Sequence, residues 1–299
     1  MSKTTETISE KNVSIAMSVS WSCIACNVVL TAFKLFAGIF AHSAAMLSDA
    51  VHTFSDVVST VVVIIGVKLS NQKADKEHPY GHERLECIAA LILAAILFLT
   101  GIGIGYAGIE KVVHGNSADL VVPGVLALIA AILSILVKEG MFWYARAAAK
   151  KIDSGALMAD AWHHRSDALS SVGSFIGILG ARMGFPILDP LVCIVICLFI
   201  LKAAFDIFVD SIGKMTDKSC DDEIVEEIRS VIMGEKDVMR IDLLRTRLFG
   251  NKIYVDVEIC IDGDATLRAA HDIAQRVHDA IETEFPKVKH CMVHMNPSA

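Results

Sequence analysis

Long, mostly apolar stretches follow one another through the first two-thirds of the chain, at 13–40, 43–69, 86–107, 120–143, 154–181 and 187–211. A helix that crosses the hydrocarbon core of a bilayer needs about 20 such residues, so the pattern predicts a membrane-spanning bundle of six helices. Near residue 217 the pattern changes. Residues 221–233 place apolar side chains at the helical period among acids, and 266–285 repeat that pattern. Residues 238–249 and 252–261 alternate as strands, with Gly250-Asn251 as the turn between them, and 288–294 read as a last strand. That α-β-β-α-β order predicts a small α+β domain, too small for an elaborate enzyme. The expected division is an N-terminal tail over 1–12, an all-α transmembrane domain over 13–211 and a cytoplasmic domain over 212–299.

Composition agrees with a membrane class. Hydrophobic residues make up 54% of the chain and charged ones 20%, against about 45–50% and about 25% in soluble globules. The net charge of −7 argues against nucleic acid as a partner. Cys23 and Cys26 form a C-x-x-C inside an apolar stretch with no second pair, which favours core thiols over a metal site. The polar start, Met1 to Lys11, holds no short apolar region with a cleavage site, so no removable signal peptide is expected. Lys73, Lys76 and Arg84 lie between the second and third stretches, and Arg146, Lys150 and Lys151 between the fourth and fifth. The opposite loops offer Lys111 and Arg182. Basic loops stay in the cytoplasm, so both termini are expected there, with the chain integral to the inner cell membrane.

Two of the apolar stretches carry the same interrupted pattern. D-A-x-H-x-x-S-D occurs at 49–56 and again at 160–167. On a helix its first Asp, its His and its final Asp fall at i, i+3 and i+7 and share one face. Ionisable groups near a bilayer centre cost roughly 2.5–3.5 kcal/mol each, so their presence points to function. His52, Asp56, His163 and Asp167 together supply four ligands, a set that suits Zn²⁺, with Fe²⁺, Co²⁺, Mn²⁺ and Cd²⁺ as competitors. The plainer reading is hydrogen bonding between helices, and two matched pairs at one depth favour the metal. Asp49 and Asp160 would support the ligands from one turn away or line a water-filled approach. His164 and Arg165 are expected to project elsewhere, Arg165 towards a polar cavity or the bundle interface. The two patterns would lie in oppositely oriented three-helix halves, as in inverted-repeat transporters.

A second candidate group is the loop motif D-x-x-H-P-Y-G-H, with Asp75, His78 and His82. Its plainer reading is a polar turn shaped by Pro79 and Gly81. In the soluble part Asp242, Glu258, His271, His290 and His294 are spread over strands and a helix, and sequence alone does not bring them together. His278 reads as a solvated surface residue.

These motifs carry a family resemblance over nearly the whole length. S-D-A-V-H-T-F-S-D, H-P-Y-G-H, D-A-W-H-H-R-S-D, D-L-L-R-T-R, F-P and H-M-N-P make the chain similar to the cation diffusion facilitators, proton-coupled metal exporters of the zinc and iron efflux type. The resemblance implies a homodimer of six-helix protomers, each with a metallochaperone-like cytoplasmic domain. It places the transport site at His52, Asp56, His163 and Asp167, and a loop metal site at Asp75, His78 and His82. A cytoplasmic site falls on Asp242, Glu258, His271, His294 and Asn296, weaker or mononuclear because several of these positions are His or Asp in binuclear members. Arg84 and Asp217 are the implied charge pair. His at the first ligand position is common among dedicated zinc transporters, which points His52 towards Zn²⁺.

The expected function is therefore Zn²⁺/H⁺ antiport out of the cytoplasm by alternating access, with zinc as substrate and as regulatory ligand. Metal and protons compete for the same groups, and His52 and His163 are the natural proton carriers. The alternatives are the same transporter with Fe²⁺, Cd²⁺, Co²⁺ or Mn²⁺ as main substrate, and a membrane metal sensor that does not transport. An intramembrane metalloprotease would need H-E-x-x-H, which does not occur.

Overall fold

The structure is a computed structural model that describes residues 3–40, 44–114, 125–182 and 188–298, apart from some side chains, those of 3–10 and 44–52 among them. Helices α1 (Lys3–Phe40), α2 (Ala44–Ser70), α3 (Arg84–His114), α4 (Val125–Ile152), α5 (Gly155–Arg182) and α6 (Leu188–Met215) come first. They are followed by α7 (Asp222–Gly234), β1 (Arg240–Phe249), β2 (Lys252–Ile261), α8 (Leu267–Glu284) and β3 (Val288–Pro297). Among the described residues, Lys11–Phe36 and Arg84–Glu110 are long and apolar enough to cross a membrane by length and composition alone.

Several helix ends run past the expected apolar stretches, α3 to His114 among them, and two of the extensions share one reason. α1 starts at Lys3, inside the tail expected over 1–12, and α4 continues past 143 to Ile152. Both extensions consist of helix-compatible residues without Gly or Pro, and adding residues to an existing helix is far easier than nucleating one. At the α4–α5 corner Asp153 takes a left-handed φ of 56°. Ser154 then caps α5, its Oγ accepting the Leu157 N–H at 3.2 Å.

The chain divides into two compact units. In the helical unit, Asn12–Lys73 with Leu85–Ser211, the interior is lined with small side chains such as Ala90, Ala145, Ala149, Ala156 and Ala161. Val29, Leu99, Leu136 and Leu198 point outward, each more than 60% exposed. Leu93, Leu97, Phe142 and Ile200 are buried there as well. The combination of small residues at helix contacts with large apolar ones facing outward suits a lipid solvent, where helices associate by close approach. Gly101 and Gly105 of α3 show this against α6. A Cβ on Gly105 would lie 2.6 Å from Cys197 Sγ, and one on Gly101 3.0 Å from Leu201.

The other unit takes in Ile212–Ala299 and also the loop Ala74–Arg84. Its sheet has the order β1-β2-β3, with β1 and β2 antiparallel and β2 and β3 parallel. The parallel pair needs a crossover, which α8 supplies. Val255, Val257, Ile259 and Ile261 of β2 meet Ile228 and Ile232 of α7 and Ile273, Val277 and Ile281 of α8 in one core. Thr266 caps α8, its Oγ1 accepting the Ala269 N–H at 3.3 Å. Gly250 opens the two-residue β1–β2 turn with φ +63°, which fits a type II′ hairpin. β3 continues beyond the expected end at 294 because its register with β2 runs on to Ile261↔Pro297.

Candidate metal centres

Asp160, His163, His164 and Asp167 share one face of α5, and each is at most 6% exposed. α2 brings Asp56, 2% exposed, to the same place. Asp56, His163 and Asp167 each offer a ligand atom within 4.8 Å of the others. His163 Nε2 lies 3.4 Å from Asp56 Oδ1. Two carboxylate oxygens and one imidazole nitrogen make a donor set for divalent cations from zinc to manganese. The helical backbone of α2 includes His52 and Asp49, whose side chains lie outside the described residues.

A fourth ionisable group enters from α4. Lys138 is 2% exposed, and its Nζ donates to Asp56 Oδ2 at 2.5 Å and to Asp167 Oδ2 at 3.0 Å. One turn along α5, Asp160 accepts from Thr60 Oγ1 at 3.2 Å, and His164 Nε2 lies 3.5 Å from its Oδ2. The placement of His164 away from the ligand face needs correcting, since it is fully buried beside Asp160. Arg165 lies 3.6 Å from Glu139 and sits over the Phe142 ring at 4.3 Å. Cys23 is buried and Cys26 exposed, both as free thiols.

The loop motif forms a second group, with ligand atoms of Asp75, His78 and His82 within 4.8 Å of one another. Asp75 Oδ1 accepts the backbone N–H of Glu77 at 2.9 Å and of His78 at 2.6 Å, an Asp-closed turn. Its Oδ2 lies 3.4 Å from His82 Nε2, and the two imidazole centroids are 4.4 Å apart. The His78 N–H, then the Glu77 N–H and the two imidazoles, hold the Asp75 carboxyl below the usual carboxylate range. The rest of the loop is tied to the sheet. Lys289 pairs with Glu83 and donates to the Tyr80 carbonyl at 2.7 Å, and the Tyr254 hydroxyl donates to that carbonyl at 3.3 Å. Arg84 donates to Asp217 and lies over the Phe249 ring at 4.6 Å. Gly250 is required here, because a Cβ would come within 2.5 Å of the Glu83 carbonyl oxygen.

The soluble domain gathers some of its candidate residues and leaves others apart. Asp242 sits at a bulge in β1, and Glu258 faces His294 across the parallel pair. Asn296 Nδ2 donates to Asp242 Oδ2 at 3.0 Å and to Glu258 Oε2 at 3.3 Å, joining the two carboxylates. The Arg240 hydrogen bond, then that of Asn296, holds the Asp242 carboxyl below its ordinary range. His271 and His294 are exposed, and neither joins the groups of three candidate ligands found among the described residues. His278 is half-buried rather than a solvated surface residue, with Nδ1 2.9 Å from the Cys291 carbonyl and Nε2 3.4 Å from Glu282.

Lys138 is the residue that motif reading missed. Its signal was present, since a lone lysine inside the stretch 120–143 meets the rule that an intramembrane charge is functional by default. The repeated octapeptides drew attention to two helices, and the partner stands on a third.

A buried group of acids and imidazole between packed helices, in a chain that also carries a small α+β domain, is an arrangement suited to a membrane carrier for divalent cations. Comparison with known proteins agrees. Residues 20–215 match the cation efflux transmembrane domain and 220–298 the cation efflux protein cytoplasmic domain. The manganese efflux system protein MneP of Bacillus subtilis is 32% identical, covering 95% of this chain and 96% of its own length. Magnetosome protein MamB of a Magnetospira species is 32% identical, with 93% and 94% covered. Metal tolerance protein C1 of Arabidopsis thaliana is 34% identical over 91% of this chain, which spans 60% of the plant protein's length. The chain belongs to the cation diffusion facilitator family, and it is a divalent metal efflux transporter rather than an enzyme. That assignment sets aside a sensor that does not transport.

Proposed function

We propose that this transporter exports Zn²⁺ from the cytoplasm in exchange for protons, through a site made by His52, Asp56, His163 and Asp167. The observation that carries the reading is the buried trio Asp56, His163 and Asp167, with ligand atoms within 4.8 Å on two separate helices. His52 stands four residues before Asp56 on α2, a spacing that brings two side chains to one helix face. Metal can bind only carboxylates and neutral imidazoles, so loading expels protons and protons in turn expel metal. Rocking of helices about the site would expose it to one side and then the other.

The remaining parts follow from the same reading. Six membrane spans lie within 13–211, and both termini face the cytoplasm of an inner-membrane protein. Residues 212–299 form the cytoplasmic dimerisation domain of a homodimer. Asp75, His78 and His82 bind a further metal ion, and Asp242, Glu258, His271 and His294 form a weaker regulatory site. Arg84 and Asp217 fix the loop to the domain, and Asp49 and Asp160 support the ligands.

A second reading has Mn²⁺ as the main substrate. The two carboxylates of the buried trio suit a harder ion, and the Bacillus relative is named for manganese efflux. Flux into proteoliposomes with an imposed pH gradient, measured for Zn²⁺, Mn²⁺, Fe²⁺, Co²⁺ and Cd²⁺, separates the two. Zinc transported fastest, with protons moving oppositely, is the expected result. Manganese transported fastest would establish the second reading, and no proton movement would remove antiport.

A further inference from the structure

Lys138 belongs to neither octapeptide, yet it bridges two carboxylates of the buried acidic group. Its ammonium reaches both Asp56 Oδ2, at 2.5 Å, and Asp167 Oδ2, at 3.0 Å. All three side chains are almost completely buried. A zinc ion held by both carboxylates needs Zn–O distances of about 2.0–2.2 Å. Held through the two Oδ2 atoms it would take the position of Lys138 Nζ. Held through Asp56 Oδ1, which faces His163 at 3.4 Å, it would still lie against the ammonium, so either mode sets two buried cations against each other. We infer that Lys138 is a tethered counter-cation, which fills the transport site when no metal is bound and leaves it when metal enters. The inference rests on the proposed site at Asp56 and Asp167.

The physical need is clear. A carrier must pass through a state without cargo, and bare carboxylates buried together repel each other and lack solvent. A lysine suits the task because its ammonium is a compact charge on a flexible four-carbon stem. It can occupy the site without the fixed geometry that would lock it there. The ammonium also lowers the apparent metal affinity, since only molecules with Lys138 withdrawn can bind. A carrier that must release its cargo on the far side benefits from that reduction.

The test uses full-length protein in lipid nanodiscs, with Asp75→Ala and His82→Ala present to silence the loop group. Zn²⁺ affinity is measured by equilibrium titration, and melting temperature with and without saturating Zn²⁺. Lys138→Met should bind Zn²⁺ about tenfold more tightly, as for a site that lysine leaves open in roughly one molecule in ten. Its metal-free form should melt lower than that of the unaltered lysine protein, while the zinc-saturated forms melt together. A lysine with only a structural role would lower both melting temperatures and would not tighten binding, and that result overturns the proposal. Should Lys138→Met not fold, Lys138→Arg replaces it. A guanidinium fork held by both carboxylates should weaken Zn²⁺ binding, and an unchanged affinity in folded Lys138→Arg counts against the proposal. Asp56→Asn and Asp167→Asn tell the two readings apart. If both keep normal Zn²⁺ affinity, the transport site itself is wrong; if they lose it while Lys138→Met stays normal, only the lysine reading falls.

Discussion

Both compact units bury apolar side chains, but only the helical one also gathers a group of charged residues inside while facing large apolar ones outward. The helical unit buries Lys34, Asp56, Lys138, Asp160, His163, His164 and Asp167 and turns Val29, Leu99, Leu136 and Leu198 outward. The sheet domain buries Ile228, Val255, Val257, Ile259, Val277 and Ile281 and leaves Asp256, Arg245 and Lys287 outside. The difference shows that solvent, rather than residue hydrophobicity alone, sets what goes inside. In water, apolar burial at roughly 25 cal/mol per Å² drives the domain core. In lipid that gain vanishes between helices, so close packing of small residues and satisfied polar groups take over. Polar groups are then free to collect in the interior, where a transporter needs them.

If that contrast is right, the largest effect comes from the polar interior. Asp56→Asn or Asp167→Asn should reduce metal flux in proteoliposomes to the level of protein-free vesicles, since each removes the charge of a proposed ligand. Substantial flux from either variant would remove the buried trio from the transport path.

Core truncation should separate the units next. Ile281→Ala in the water-facing domain is expected to cost about 2–5 kcal/mol, seen as a lower thermal transition of the full chain. Leu198→Ala on the outer face of α6 should cost less than about 0.5 kcal/mol in a bilayer. Equal losses would mean that the helical unit does not meet lipid on that face.

Gly105→Leu tests the close approach of α3 and α6. Forcing a side chain against Cys197 should destabilise the helical unit by about 1–3 kcal/mol and slow transport, leaving the soluble domain's unfolding transition in place. Normal flux and stability would show that the contact is not tight in the membrane.

His52→Asp, which exchanges nitrogen for oxygen, should lower the Zn²⁺-to-Mn²⁺ flux ratio several-fold. An unaltered ratio would take His52 out of the ligand set.

The smallest effect concerns the loop. The Asp75 carboxyl is held below its ordinary range, chiefly by the His78 N–H. A depressed carboxyl contributes order that is complete above its unfolded value, about 3.9, and is lost as pH falls through the lower folded value. Exchange protection of the Glu77 and His78 amides, corrected for intrinsic rates, should be steady as pH falls towards 5 as far as Asp75 is concerned, and then drop below about 4. Asp75→Asn should remove that acid-side drop. A drop of unchanged size in Asp75→Asn would mean that another group holds the turn.

Much of this protein is written in local pattern. Apolar length marked the helices, alternation marked β1 and β2, and the repeated octapeptides marked Asp56, His163 and Asp167, because period and composition are properties of neighbours along the chain. The boundaries were less legible. α1 and α4 run further than apolarity suggests, since a helix once formed extends through any residues that tolerate it. Three features were decided only by the tertiary structure. The loop 74–84 attaches to the soluble domain through Glu83–Lys289, a contact between residues far apart in the chain, beside the Arg84–Asp217 pair that the family resemblance had implied. Asn296 brings Asp242 and Glu258 together, while His271 and His294 join no candidate group with them. Lys138 takes its meaning from two aspartates on α2 and α5. Sequence could show that a charge was buried in an apolar helix, but its partners were fixed by how three helices pack, and a linear pattern holds no record of that.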